Sequence, residues 1–229
     1  MEMNRGNCLS ALRTNPETAG YFAWSLPESV QGGSFWLEAV RANPWVLKFM
    51  PDELKTLELC REAIRRNGLM IAHVPSELAS KELCLEAIAQ NVQAVLFAPA
   101  KLRTPALWLA AMRRSSIAGE CVPESVWTLP LCLEAARISG WILGNMPEEL
   151  RTAAVCETSV RTDGMALQFV PERLKTLELC LLAAETIGRR VLEYAPQHLQ
   201  DSLTAELNKR DYSHLLPWHA GGRASGKAG

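Results

Sequence analysis

Apolar residues recur along this chain in one spaced set. Leu59, Cys60, Ala63 and Ile64 are repeated by Leu83, Cys84, Ala87 and Ile88. The spacing i, i+1, i+4, i+5 gathers the four side chains on one side of a helix. A hydroxyl residue stands just before each such run, at Thr56, Ser80, Thr104, Thr128, Thr152 and Thr176, where it predicts a helix N-cap. Each run ends near Asn43-Pro44, Asn67-Gly68, Ser139-Gly140 or Asp163-Gly164, which predicts a helix of about ten residues closed by a C-cap. A second short helical segment, Leu69 to Val74 in one unit, leads to a proline. That proline is expected at the first position of a short turn. Acids follow it (Asp52 and Glu53, Glu77, Glu124, Glu148 and Glu149, Glu172), suited to the positive end of a helix. An apolar residue closes the turn: Val30, Leu54, Leu78, Leu102, Val126, Leu150, Leu174, Leu199. No run alternates in the manner of a strand.

The prolines give the period. Pro27, Pro51, Pro75, Pro99, Pro123, Pro147 and Pro171 stand 24 residues apart, and Pro196 follows after one extra residue. Pro51–Cys60 and Pro171–Cys180 agree at eight of ten positions. One helix and one or two short turns cannot bury an apolar face alone, so stability must come from stacking. The expected fold is all-α: a right-handed α-solenoid, or superhelix, of about seven 24-residue repeats in one domain spanning 1–217. Residues 1–26 form a degenerate N-terminal repeat, because Cys8 to Asn15 match Cys84 to Asn91 in type and spacing. Residues 27–195 hold the repeats and 196–217 a C-terminal cap. The Gly-, Ala- and Ser-rich segment 218–229 is expected to be disordered.

The string Gly164-Met-Ala-Leu-Gln-Phe-Val-Pro-Glu-Arg-Leu-Lys-Thr-Leu-Glu-Leu-Cys180 resembles the units of a tandem-repeat family, domain of unknown function 4116, of the form Gly-x-Ala-Leu-x-Tyr-Val-Pro-x-x-Leu-Lys. The resemblance covers roughly residues 27–196, most clearly at Pro51 and Pro171. It implies a helical repeat of unassigned activity, often in host-associated microbes, and carries no catalytic residue with it. The period is also similar to that of the leucine-rich repeat variant, an architectural analogy to alternating α- and 3-10 helices.

Composition narrows the chemistry. Net charge is −1, so no global field favours nucleic acid or an acidic membrane. No apolar run is long enough to span a bilayer. The N-terminus carries an acid and no apolar core, so no cleaved signal is expected. The protein is expected in the cytoplasm, or exported into a host cell without one. Seven cysteines contain no CxxC pair, and six of them (Cys8, Cys60, Cys84, Cys132, Cys156, Cys180) share one repeat position that Trp36 and Trp108 also fill. Packing accepts that exchange and metal ligation does not. Neighbouring helices stand about 8–10 Å apart, too far for a disulfide. Neither a metal nor a cofactor is expected.

Gly221-Gly-Arg-Ala-Ser-Gly-Lys227 imitates a phosphate-binding loop, but Ala228 replaces its Ser or Thr and no strand precedes it. His73 aligns with Phe49, Phe97 and Phe169 in what reads as an aromatic packing column. No nucleophile–base–orienter set is found, so no enzyme is expected.

Two charged columns remain. Arg13, Arg41, Arg65, Arg113, Arg137 and Arg161 share a late helical position. Glu38, Glu62 and Glu134 stand three residues before Arg41, Arg65 and Arg137, which predicts pairing within each helix. The second column precedes the helix cap and reads Lys55, Arg103, Trp127, Arg151, Lys175. Trp and Arg dominate protein interfaces, so these five are candidate partner-binding residues, with Trp127 flanked by Arg103 and Arg151. An acidic, partly apolar segment would match them. The competing reading folds the Trp127 indole inward as packing. The expected function is a non-enzymatic protein-binding scaffold, with roles as a bacterial effector or toxin-neutralising protein both compatible. Nucleic-acid backbone binding through the Arg and Lys columns is the alternative, and balanced charge argues against it.

Overall fold

The computed structural model describes residues 5–15 and 33–210. The tail 218–229, the Gly221–Lys227 string, His214 and His219 lie outside the described residues. So does most of segment 1–26.

Among the described residues there are helices and no strands. Three kinds recur in order. The long α-helices are Arg5–Thr14, Gly33–Ala42, Leu57–Arg66, Lys81–Gln90, Pro105–Arg114, Leu129–Ile138, Ala153–Thr162, Leu177–Ile187 and Gln200–Lys209. Most are followed by a six-residue 3-10 helix, such as Gly68–His73, Val92–Phe97 or Gly164–Phe169. A three-residue 3-10 turn, such as Asp52–Leu54, then leads to the next cap. The chain divides into two compact units, with the boundary between Leu131 and Cys132.

The hydroxyl caps act as the pattern predicts. The Leu59 N–H donates to Thr56 Oγ1 at 3.3 Å, Leu83 N–H to Ser80 Oγ at 3.2 Å, and Leu179 N–H to Thr176 Oγ1 at 3.2 Å. Each satisfies a backbone donor that the first helical turn leaves open. Leu59, Cys60, Ala63 and Ile64 are all buried, as are their counterparts from Leu83 to Ile88. Burying each Leu or Ile contributes about 1.5–3 kcal/mol.

In the first unit the helix Leu57–Arg66 packs against both Gly33–Ala42 and Lys81–Gln90, and the 3-10 helices Gly68–His73 and Val92–Phe97 pack against each other. In the second, Ala153–Thr162 packs on Leu177–Ile187, which packs on Gln200–Lys209.

Two local expectations need correction. The proline precedes its turn rather than opening it: Pro51 is extended (φ −58°, ψ 142°), and its carbonyl accepts from the Leu54 N–H. The Asn and Asp residues that end the long helices are not left-handed C-caps either. Asn67 is extended (φ −150°, ψ 106°) and starts the next helix, its Oδ1 accepting from the Leu69 N–H at 3.1 Å. Asn91 and Asp163 do the same for Gln93 and Met165. The following glycine is selected by closeness. A Cβ on Gly68 would run into the Ala87 carbonyl oxygen of the next long helix and sit 2.9 Å from Gln90 Oε1.

Candidate functional site

The column before the caps is where the sequence places a partner-binding set. The structure turns its cations inward. Lys55 Nζ donates to the His73 carbonyl at 3.0 Å and pairs with Asp52 at 2.8 Å, its side chain only 7% exposed. Lys175 Nζ likewise donates to the Tyr194 carbonyl at 3.1 Å and pairs with Glu172 at 2.6 Å. Arg151 forks over three carbonyls: Met146 (3.0 Å), Phe169 (3.1 Å) and Gly144 (3.1 Å). The acceptors are carbonyls at or near the end of a 3-10 helix, where no further turn supplies a donor. A cation also suits that negative helix end.

Trp127 is 6% exposed. An interface anchor needs an indole that a partner can reach, so this side chain is placed as packing. Arg103 is half-buried, and no side-chain hydrogen bond or ion pair is formed by it among the described residues. Arg103 and Trp127 belong to the first unit and Arg151 to the second. An acidic ligand aimed at these cations would find Lys55, Arg151 and Lys175 already committed.

The late-helix arginines are exposed, but their pairing departs from the expected spacing. Glu62 takes Arg66 at 3.0 Å and Arg41 of the preceding helix at 3.4 Å, rather than Arg65. Glu38 takes Arg5, also from the preceding helix, at 2.7 Å. Arg137 pairs with Glu134 as expected, and Arg161 pairs with Glu157 at 2.6 Å. Such exposed pairs contribute about 0–1 kcal/mol each.

All seven cysteines are free thiols, the six column members buried and Cys121 exposed. Among the described residues no group of His, Cys, Asp and Glu is placed to hold a metal ion. Burial pushes the Cys60, Cys132 and Cys156 thiols up to about 11. They stay protonated at neutral pH and are poor nucleophiles. Because the fold raises these values above the usual 9.0, their contribution to stability is complete below about pH 9 and lost as pH rises through about 11. In an Ellman's assay at pH 8, Cys121 is expected to react at once and the six column thiols only on unfolding. Rapid reaction of a second thiol in the folded protein would contradict the packing role.

What the column does not offer, the short segments after the long helices do: 3-10 helices in most cases, the four-residue α-helix Val46–Phe49 after Gly33–Ala42. Trp45 (40% exposed), Phe97 (49% exposed), Ile117 and Trp141 stand out to solvent. Phe49, Leu69 and His73 are half-buried in the first unit, as are Met165 and Phe169 in the second. Phe97 therefore departs from the expected packing column. One geometry recurs within each unit. The Trp45 ring lies 6.2 Å from the ring of His73, and the Trp141 ring lies 5.5 Å from that of Phe169. Burial, then Lys55 and Lys48, hold the His73 imidazole below its usual range, so it is neutral in this edge at pH 7. The readable signal was an apolar residue three places after the last residue of a long helix (Trp45, Leu69, Ile117, Trp141, Met165), beyond those the core requires.

A family model described as a domain of unknown function (DUF4116) matches residues 34–79 and, overlapping these, 56–103. The double match to one stretch fits tandem units, and it spans the edge from Trp45 to Phe97. The unit at Pro171 lies outside the matched segments. No curated protein and no solved structure matches the chain.

Proposed function

We propose that this chain is a non-enzymatic scaffold of stacked 24-residue helical repeats, solenoid-like within each unit, that binds another protein. The observation carrying this reading is the set of large apolar side chains held out to solvent on the short helical segments, Trp45, Phe97 and Ile117 in the first unit and Trp141 in the second. Exposed apolar side chains gathered in a patch mark interaction surfaces, and stacked repeats present such surfaces along their length. In the first unit Asn43 and Asn91 open the segments of Trp45 and Phe97, accepting from the Trp45 and Gln93 N–H groups at 3.1 and 3.0 Å, so less order has to be created on binding.

Backbone binding to nucleic acid draws no support from the column before the caps, because Lys55, Arg151 and Lys175 spend their donors on carbonyls. The thiols that burial keeps protonated offer no nucleophile for an enzyme. No helix among the described residues is long and apolar enough to cross a membrane.

Panning a random-peptide display library on the full chain tests the reading. Peptides are expected to enrich on the wild-type protein and to be lost on Trp45→Ala/Phe97→Ala, whose melting is unchanged. Enrichment that ignores this double substitution, or no enrichment, would overturn it.

A further inference from the structure

We propose that the segment docking on the first unit's edge, from Trp45 to Phe97, is cationic as well as apolar. The proposal rests on the scaffold reading and adds the chemistry of the partner. It reverses the charge that the sequence suggests, and the reason is which member of each ion pair reaches solvent.

The apolar part of the surface is formed by exposed Trp45 and Phe97; the Trp45 ring lies 6.2 Å from half-buried His73, whose 3-10 helix Gly68–His73 packs on Val92–Phe97, and Phe49 and Leu69 are half-buried. The 3-10 turn Asp52–Leu54 carries Asp52 and Glu53, and the turn 76–78 carries Glu77, all exposed. The two features are tied together at one atom. Lys55 Nζ touches both the Asp52 carboxylate and the His73 carbonyl, so a single ammonium separates the acid row from the aromatic edge.

That ammonium is 7% exposed, whereas Asp52 is 71% exposed. The pair therefore shows its negative member to a partner. The second unit repeats the arrangement: Lys175 is 7% exposed and its mate Glu172 is 72% exposed. Of the other cations on this stretch, Arg65 and Lys81 are exposed on long helices, while two on the shorter segments have partners of their own. Lys48 lies over the Phe49 ring at 5.2 Å, and Lys101 donates to the Ser76 carbonyl at 3.2 Å. Glu53 and Glu77 have no cation beside them at ion-pair distance. An apolar strip bordered by acids selects an apolar segment bordered by Lys or Arg, with the anchors supplying affinity and the charges supplying selection and encounter rate.

The test uses three synthetic peptides on one Leu- and Trp-containing framework, with the alternate positions filled by Lys, Gln or Glu. Binding to the full chain is read by fluorescence anisotropy. The Lys peptide is expected to bind about tenfold tighter than the Gln peptide, and the Glu peptide weakest. The Lys advantage is expected to shrink as salt rises. Glu53→Lys/Glu77→Lys, two exposed sites, is expected to melt like wild type and to reverse the order. A Glu peptide that binds tightest, an order independent of charge, or an order unchanged by the double substitution overturns the proposal. If all three bind equally and Trp45→Ala removes them all, the charge assignment falls and the scaffold reading stands. If no panned or synthetic peptide depends on Trp45, both fall.

Discussion

Gly164→Ala is expected to destabilise the protein by about 2–3 kcal/mol, among the larger costs of adding one methyl group. A Cβ at Gly164 would sit 2.5 Å from the Ala183 carbonyl oxygen and against Thr186 Oγ1. The carbonyl belongs to the backbone of the helix Leu177–Ile187 and has nowhere to go. Thr186 Oγ1 is also committed, accepting from the Gly164 N–H at 2.9 Å. The added methyl group therefore pushes the 3-10 helix Gly164–Phe169 off the long helix that follows it and loosens that hydrogen bond. Gly144→Ala is the matched control. Its three nearest atoms all belong to the Phe169 ring, at 3.0 to 3.2 Å, and a ring can turn aside. That change is expected to cost below about 1 kcal/mol while altering Trp141 fluorescence, because Trp141 packs on the same ring. Urea denaturation of the two proteins checks the contrast. Equal stability would show that the glycine after the helix is not there for close approach.

Arg151→Ala is expected to cost about 3 kcal/mol, because three carbonyls lose their donor at once. Charge-assisted bonds are the stronger kind, and the guanidinium supplies several from one plane. Arg151→Lys is expected to recover less than half of the loss, since one ammonium cannot reproduce a fork over Met146, Phe169 and Gly144. Lys175→Met should cost less than Arg151→Ala, as one carbonyl, that of Tyr194, is left without its cation. The measurement is again the urea midpoint. An Arg151→Ala protein as stable as wild type would mean that the guanidinium is not needed where the structure puts it.

These two cases show where sequence and structure part. The long helices were legible because apolar spacing reports burial directly, and Leu59, Cys60, Ala63 and Ile64 lie where the pattern puts them. The caps were legible because a hydroxyl before a helix has one local task. The cation column was not. Spacing locates Lys55 or Arg151 on the backbone, but a long side chain can carry its charge outward or back to a carbonyl from the same Cα. Trp127 is subject to the same ambiguity, having an apolar body that packs as readily as it protrudes.

Asn67 was misplaced for another reason. Asn and Gly together suit a left-handed cap, yet they equally suit an extended residue whose side chain starts a new helix, followed by a glycine pressed on a neighbour. Only the neighbour decides, and it lies one repeat away. The exposed edge was hidden because Phe97 shares its column with half-buried Phe49 and Phe169, and a column of aromatic residues reads as core.

Trp45 stands exposed and Trp127 packs inside, and one comparison separates the partner-binding indole from the packing one. The measurement is the affinity of a library-selected peptide for Trp45→Ala and Trp127→Ala, with melting recorded on the same samples. Trp45→Ala is expected to keep its melting temperature and lose binding by about tenfold or more. Trp127→Ala is expected to melt several degrees lower and, while folded, to bind as wild type does. The opposite pattern, with binding lost and melting unchanged at Trp127 and binding kept at Trp45, would contradict the account.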